Sequence, residues 1–243
     1  MYRERIAETP AKSPEALHLK SLMLTYHDYQ LNSLSHQGSA MKCRLAEWQT
    51  ERLKATHADL YDNFNFRSGI DFLLEELYGA HDFSARDRDL ERIFPKLLKL
   101  LPKNLINTVA NLVELNLLTQ QLDDQLVQYL MSINASDINE SLYVEAYQKA
   151  STAQQRQRQL DLVKAAGELL DKHAHNPLLR LTLNWTKKPA KKAGLEELHG
   201  FLLRGLDAFY EMSDVDVLMQ TLIERESHIL SNILNNRPNP FQS

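Results

Sequence analysis

Apolar residues recur every three or four positions along most of the chain, the spacing that places them on one face of an α-helix. The stretch from about residue 40 to 63 shows the pattern well, with apolar side chains at Met41, Leu45, Trp48, Leu53 and Leu60. A polar face accompanies each apolar stripe, as expected for helices that pack on a core and meet water on the other side. The pattern therefore predicts an all-α protein.

Capping and helix-breaking residues set the boundaries of these helices. Ser13 precedes Pro14, which is typical of an N-cap followed by a first helical residue, and Gly79 is placed to end a helix. Such signals predict helices at 13–32, 40–63, 70–78, 84–101, 102–118, 119–131, 136–147, 152–174, 177–185, 195–211 and 213–235. We expect a single irregular multi-helix domain of about nine to eleven helices over residues 13–236, with a flexible N-terminal arm (1–12) and a frayed tail (237–243).

Composition supports the helical assignment and narrows the function classes. The chain has 43 Leu against 7 Val and 9 Ile, and unbranched side chains favour helices whereas β-branched ones favour strands. The formal net charge is −4, so no global basic excess favours nucleic acid or an anionic membrane. No repeat of fixed period indicates a solenoid.

The cysteine count and the hydropathy pattern predict a soluble, cytoplasmic protein. Cys43 is the single cysteine, so an intrachain disulfide is impossible. The N-terminus has no apolar run suited to a signal peptide, and no stretch approaches the ~18 apolar residues of a membrane span.

One segment resembles a known family. Residues 72–79 read FLLEELYG and are followed by Arg86-Asp87 and Pro95. This stretch resembles the signature of the bacterial proteins called FFLEELY motif proteins, with Leu73 where the name has its second Phe. The likeness extends from about residue 40 to 235 and implies an uncharacterised bacterial helical family with one domain. It carries over no activity, cofactor or catalytic residue.

On a helical wheel the motif segment has two distinct faces. Phe72, Glu75 and Glu76 lie opposite the apolar face, which consists of Ile70, Leu73, Leu74, Leu77 and Tyr78. An aromatic side chain flanked by two carboxylates could dock a partner. The alternative is an interhelical ion-pair network with the arginines of the next helix, namely Arg86, Arg88 and Arg92.

Three polar residues fall on apolar faces, where a buried group without a hydrogen bond costs about 1–3 kcal/mol. They are Asn116, His199 and Glu226. We expect Glu226 to have a perturbed pKa, raised by burial or lowered by a cationic partner. His199 on the preceding helix, or Arg204, is a candidate for that partner. The structural alternative for each residue is a satisfied polar group that fixes helix register.

Metal, nucleophile and phosphate motifs are weak or missing. Glu196 and His199 form the only Glu-x-x-His pair, whereas di-iron helical bundles need two such pairs. Cys43 has no identifiable base nearby in the sequence, and the seven glycines are scattered singly. We predict no metal, no cofactor and no catalytic residue, and we favour a protein that is not an enzyme.

A run of four lysines around Pro189 is the strongest local basic feature. Lys187, Lys188, Lys191 and Lys192 are predicted to lie in a linker loop that could follow a phosphate backbone, although no aromatic side chains alternate with them. A solvated loop is the simpler interpretation.

Three functional hypotheses remain. The first is a non-catalytic cytoplasmic interaction or regulatory protein that uses the Phe72 face as a docking surface. The second is a helical-bundle ligand-binding protein or enzyme with a polar pocket near the last two helices, where His199 and Glu226 lie. The third is nucleic-acid binding through the 187–192 lysines. Oligomeric state and partner identity stay open.

Overall fold

The computed structural model describes residues 2–33, 40–78, 84–210, 212 and 214–242. Over these ranges the chain is helical with no strand, as the sequence predicts, and forms a single domain. The helices are α1 (Tyr2–Glu8), α2 (Pro14–Ser33), α3 (Ala40–Thr56), α4 (Ala58–Tyr61), α5 (Phe64–Leu73), α6 (Ser84–Leu100), α7 (Lys103–Ser132), α8 (Glu140–Ala150), α9 (Ala153–Ala174), α10 (Pro177–Lys192), α11 (Glu196–Tyr210) and α12 (Val215–Leu234). Eleven of the twelve described α-helices have seven residues or more.

Helix α7 is the longest element, and other helices pack along it. It contacts α2, α3, α8 and α9, while α12 packs on α9 and α10 packs on α11. The sequence predicted a break in α7 at Thr119, and that prediction is wrong. The Thr119 hydroxyl accepts a hydrogen bond from Gln159 of α9 (2.9 Å) instead of capping a new helix.

The core consists of three clusters of buried apolar side chains. One involves α3, α4, α5, α11 and α12 and includes Phe209 and Leu218. A second joins α1, α2, α6 and α7 around Phe94. The third joins α3, α7 and α8 around Leu126 and Tyr143. Helix α3 thus separates two clusters, and polar side chains of α3 lie between them.

Residues near both ends of the chain contact the rest of the domain. Residues 2–8, within the arm predicted at 1–12, form α1, and Ile6 is fully buried in the second cluster and anchors the helix there. At the other end, within the tail predicted at 237–243, Phe241 packs on Trp48, with ring centroids 5.8 Å apart. The Pro240 carbonyl accepts a hydrogen bond from Asn232 (3.2 Å), so residues 240–241 contact the domain.

The lysine run is helical, which corrects the predicted loop at 187–192. Asn176 caps α10 at its start and Pro177 occupies its first turn, so the helix begins as the sequence indicates. It does not stop at Trp185 but continues through Pro189 to Lys192. Gly194, at φ +67°, supplies the left-handed backbone that ends it.

The motif segment combines two helix types. Helix α5 continues without a break into a single π-helix, Leu74–Tyr78. A π-helix has a wider turn than an α-helix, so residues after Leu73 are rotated relative to a regular helical wheel.

None of the described helices has both the length and the apolarity needed to cross a lipid bilayer.

Candidate functional site

Glu226 lies in a buried charged cluster between α12 and the C-terminal end of α3. Its Oε1 accepts a hydrogen bond from Nη1 of Arg52 (2.5 Å) and lies 2.9 Å from Nε2 of His57. Only 19% of the Glu226 side chain is exposed, against 10% for Arg52 and 3% for His57. Burial opposes ionisation, but the charge of Arg52 and the bonds from both partners outweigh it and lower the pKa of Glu226 to about 2.

This cluster forms part of the wall of a partly enclosed cavity of about 110 Å³. Helices α3, α5, α7, α8, α9 and α12 all contribute to the wall. Polar side chains on it include Gln49, Arg52, His57, Asp123, Arg156, Gln159 and Glu226. The apolar part of the wall includes Ile70, Leu73, Leu160, Val163, Met219, Leu222 and Ile223. The cavity is therefore amphipathic, which is the usual character of a small-molecule site.

Arg156, in the first turns of α9, is a buried cation on this wall with 4% of the residue exposed. Its Nε donates to the Ser151 hydroxyl (3.0 Å), and its Nη1 lies 3.4 Å from Oε1 of Gln159. The guanidinium lies over the Tyr147 ring, 3.9 Å from the centroid. These contacts fix the group in place, yet Nη2 is buried and has no hydrogen-bond partner in the described part of the chain.

His57 has a second buried polar atom without a hydrogen-bond partner among the described residues. A carboxylate only accepts hydrogen bonds, so the ring nitrogen that faces Glu226, Nε2, carries a proton. The other nitrogen, Nδ1, is buried without a partner among the described residues. It is an acceptor in neutral imidazole and a donor in imidazolium.

Asp123 of α7 adds a titratable acid to the same wall. Its Oδ1 accepts a hydrogen bond from Nε2 of Gln49 (3.1 Å). Burial raises the pKa of Asp123, against the opposing effects of the Gln49 bond and the charge of Arg156. The wall thus holds one carboxylate fixed in its ionised form, Glu226, and one acid whose ionisation is disfavoured.

The Phe72 side of the predicted docking face lies against α11. Phe72 packs on Phe201 and Phe209 of α11, with centroids 5.7 and 6.0 Å apart. A Cβ atom at Gly205 would lie 2.9 Å from the tip of the Phe72 ring, so α11 approaches the ring closely. Phe72 is therefore a packing residue between α5 and α11.

The two motif glutamates differ. Glu75 is exposed, whereas Glu76 is 9% exposed and lies 2.6 Å from Nη2 of Arg204 and 3.6 Å from Nη1 of Arg86. The ion-pair network that the sequence offered as an alternative is present, with Arg86 as expected and with Arg204 in addition. Its members tie the π-helix to α6 and α11.

Asn116 takes part in a separate polar network between α2 and α7. Its Nδ2 donates to the Tyr26 hydroxyl (2.9 Å), which itself donates to a carboxylate oxygen of Asp87. Gln120 donates to the same hydroxyl (3.1 Å). Burial raises the pKa of both Tyr26 and Asp87. This arrangement agrees with the structural alternative given for Asn116, a buried polar group whose hydrogen bonds are satisfied.

His199 does not pair with Glu226. Its Nε2 lies 2.8 Å from the Leu183 carbonyl and 3.3 Å from the Thr186 hydroxyl, so it joins α11 to α10. Glu226 instead meets side chains that lie about 170 residues earlier in the chain. The pairing suggested from adjacent helices is wrong because α12 turns this residue toward α3.

The four lysines of α10 are exposed, and one ion pair joins Lys191 to Glu196 (3.2 Å). Among the residues that the structure describes, no group of three or more His, Cys, Asp or Glu side chains could hold a metal ion.

Sequence reasoning missed His57 and Arg156, although each carries a detectable signal. His57 follows Leu53 by four residues and precedes Leu60 by three, on the same apolar stripe. Arg156 precedes Leu160 by four residues and Val163 by seven. Both are polar residues on an apolar face, the criterion that identified Glu226.

A family model described as Domain of unknown function (DUF8198) matches residues 28–240. No curated protein and no solved structure matches the chain.

Proposed function

Since the chain belongs to the family described as Domain of unknown function (DUF8198), whose model covers the cavity-forming helices, we propose that it is a binding protein for a small molecule held in the cavity. The observation that carries the proposal is the coincidence of an amphipathic cavity with two buried polar atoms that have no partner, Nη2 of Arg156 and Nδ1 of His57. Buried polar groups are nearly always hydrogen-bonded, and each exception calls for an explanation. A bound molecule with a polar end supplies that explanation.

This proposal modifies the second hypothesis from the sequence. That hypothesis put a polar pocket near the last two helices, with His199 and Glu226 in it. The cavity proposed here has Glu226 of α12 on its wall but no residue of α11, and His57 and Arg156 are on the wall instead of His199. We keep the proposal at binding, because Glu226 is held by Arg52 and His57 and its pKa of about 2 makes it a poor proton carrier near neutral pH.

Methyl-resolved NMR of the full chain tests the proposal with 1-propanol, propionate and propionamide as probes. We expect at least one probe to shift the methyl signals of Ile70 and Ile223, which line the cavity, and to leave Ile6 unchanged. Val163→Phe should fill the cavity and abolish these shifts. Val217→Phe, at a position 48% exposed on α12, is the matched control and should behave as the unaltered chain.

Shifts that spread equally to Ile6, or that persist in Val163→Phe, would show that the probes bind elsewhere. Absence of any shift with all three probes would mean that the cavity holds only water, which rejects the proposal.

A second candidate function is binding of a protein partner through α10. It keeps the interaction role of the first hypothesis but uses a different surface. Helix α10 buries none of its residues, and Leu178, Leu181 and Trp185 are 72%, 43% and 73% exposed. Lys188 and Lys192 follow on the same helix face, three and seven residues after Trp185. An apolar cluster followed by positive charge fits a partner segment with apolar side chains followed by acidic ones.

Trp185 fluorescence can test this surface against the nucleic-acid alternative. An acidic amphipathic peptide should shift the Trp185 emission to the blue, and Trp185→Ser should remove that response while leaving the fold intact. Binding of a single-stranded oligonucleotide with a steep salt dependence, and no response to the peptide, would instead favour the lysine-based nucleic-acid hypothesis.

We also propose a more specific family, a bacterial origin and a cellular location for the protein. The signature at 72–78 supports membership among the FFLEELY motif proteins and hence a bacterial origin. A single cysteine supports a cytoplasmic location.

A further inference from the structure

The charged groups of the cavity wall are unequally paired. Arg52 forms an ion pair with Glu226 (2.5 Å), and Lys54 forms one with Glu51 (3.3 Å). Arg156 is more buried than Lys54, yet no carboxylate oxygen of the described residues lies within 4 Å of its guanidinium. The wall therefore contains a buried cation with no carboxylate of the described residues at ion-pair distance.

The surroundings of Arg156 do not compensate for this charge. Arg156 lies near the N-terminus of α9, where the helix dipole disfavours a cation and favours an anion. Asp123 is the acid whose charge acts on Arg156 at longer range, and burial raises the pKa of Asp123, which disfavours its ionised form. A buried guanidinium that is stacked, oriented and without an ion pair is a binding group for an anion.

We propose that the cavity binds a small monocarboxylate, whose carboxylate forms the ion pair that Arg156 lacks and accepts a hydrogen bond from its Nη2. This inference rests on the proposed binding function and specifies the chemical class of the ligand. Nδ1 of His57 is a second polar atom on the wall, and it can donate to the carboxylate when the ring is an imidazolium. The hydrocarbon part lies against the apolar wall, on which Val163, Leu222 and Ile223 are found.

The volume limits the size of this acid. An engineered apolar cavity of ~150 Å³ takes up benzene, which has six non-hydrogen atoms. In proportion, the cavity of about 110 Å³ accommodates about four or five such atoms. Propionate, with five, is the natural probe, whereas a medium-chain acid exceeds the space.

Three matched probes test the charge requirement by NMR titration of the cavity methyl groups in the full chain. Propionate carries the carboxylate, propionamide has the same shape without charge, and n-propylammonium carries the opposite charge. We expect propionate to bind with a Kd between about micromolar and millimolar, the range set by its size. Propionamide and n-propylammonium should bind at least ~30-fold more weakly, because a buried charge would stay unpaired.

Two variants assign the effect to one guanidinium. Arg156→Gln removes the charge and should weaken propionate binding at least ~30-fold while leaving propionamide binding unchanged within a factor of about three. Arg158→Gln removes an exposed arginine two residues along the same helix, which pairs with Glu114, and should bind propionate as the unaltered chain does. If Arg156→Gln does not fold, the ranking of the three probes on the unaltered chain decides the question.

Propionamide binding as tight as propionate, or tighter, would overturn the carboxylate assignment while the proposed binding function stands. Hexanoate binding at the same methyl groups with higher affinity than propionate would overturn the size limit and with it the ligand class. No response to any probe would overturn this inference and the binding function together.

Discussion

Replacement of Glu226 by Gln should destabilise the protein by about 3 kcal/mol at pH 7. The substitution removes the carboxylate that faces both Arg52 and His57, and it leaves two buried donors beside a neutral amide. Loss of one partner of a buried ion pair costs about 3–5 kcal/mol. The pKa gives a similar magnitude, since a shift from the ordinary 4.5 to about 2 corresponds to roughly 3 kcal/mol.

The pH dependence of this cost has a defined sign. The pKa of Glu226 is lower in the folded state than in the unfolded state, so the stabilisation is fully present above about pH 5 and is lost as the pH falls toward 2. The difference in unfolding free energy between the unaltered chain and Glu226→Gln should therefore fall to roughly half its neutral value near pH 3.

Urea denaturation followed by circular dichroism measures this difference at pH 7 and at pH 3. Glu224→Gln is the matched control, because Glu224 lies on the same helix, is exposed and, within the described ranges, bonds only to Gln220 (2.9 Å). Its cost should stay within about 0.5 kcal/mol at both pH values. A cost for Glu226→Gln below about 1 kcal/mol, or one that is equal at the two pH values, would refute the assignment of a buried, ionised carboxylate.

Three further predictions concern contacts away from the cavity wall, and thermal or urea denaturation checks each. Glu76→Ala should cost about 1–3 kcal/mol because it removes a buried carboxylate that pairs with Arg204 and Arg86, whereas exposed Glu75→Ala should be close to neutral. Gly205→Ala should destabilise the protein by about 1–3 kcal/mol, because the new Cβ would lie 2.9 Å from the Phe72 ring. Gly200→Ala, on the same helix, is the control. Its Cβ would lie 3.2 Å from the flexible Arg204 side chain, and the change should stabilise the protein by up to about 1 kcal/mol. Tyr26→Phe should cost about 1–3 kcal/mol, since its hydroxyl both donates and accepts in the buried network, and a cost near zero would contradict that network.

The sequence predicted the helices well because their signals are local. Leucine spacing and caps such as Asn176 need only neighbouring residues, and the structure confirms the all-α class. The N-terminal helix was missed because its anchor is a single apolar residue, Ile6, whose burial depends on helices far along the chain. One apolar side chain produces no periodicity from which a helix can be predicted.

Side-chain partners could be predicted only in part. The wheel placed Glu226 on an apolar stripe, and the expected perturbation of its pKa is present with the sign of a cationic partner. The identity of that partner was wrong, because a wheel shows which face a residue occupies but not which helix packs on that face. His57 and Arg52 approach from α3 and the turn that follows it, and their distance along the chain hides the pairing.

A helical wheel did not predict the different burial of the two glutamates in the motif segment. With 100° per residue, Glu75 and Glu76 occupy neighbouring positions on one face. In the structure, within the π-helix Leu74–Tyr78, Glu75 is exposed whereas Glu76 is buried and pairs with Arg204 and Arg86. The polar pair therefore divides between solvent and the ion-pair network.

The same π-helix links the sequence signature to the cavity. Ile70, Leu73 and Leu74 lie on the cavity wall, whereas Glu76, two residues later, is held by Arg204 and Arg86 on the other side. π-helices are rare, and single π-turns within α-helices are frequently found at functional sites. The signature thus places an apolar wall against the cavity and fixes it to α6 and α11 through one buried carboxylate.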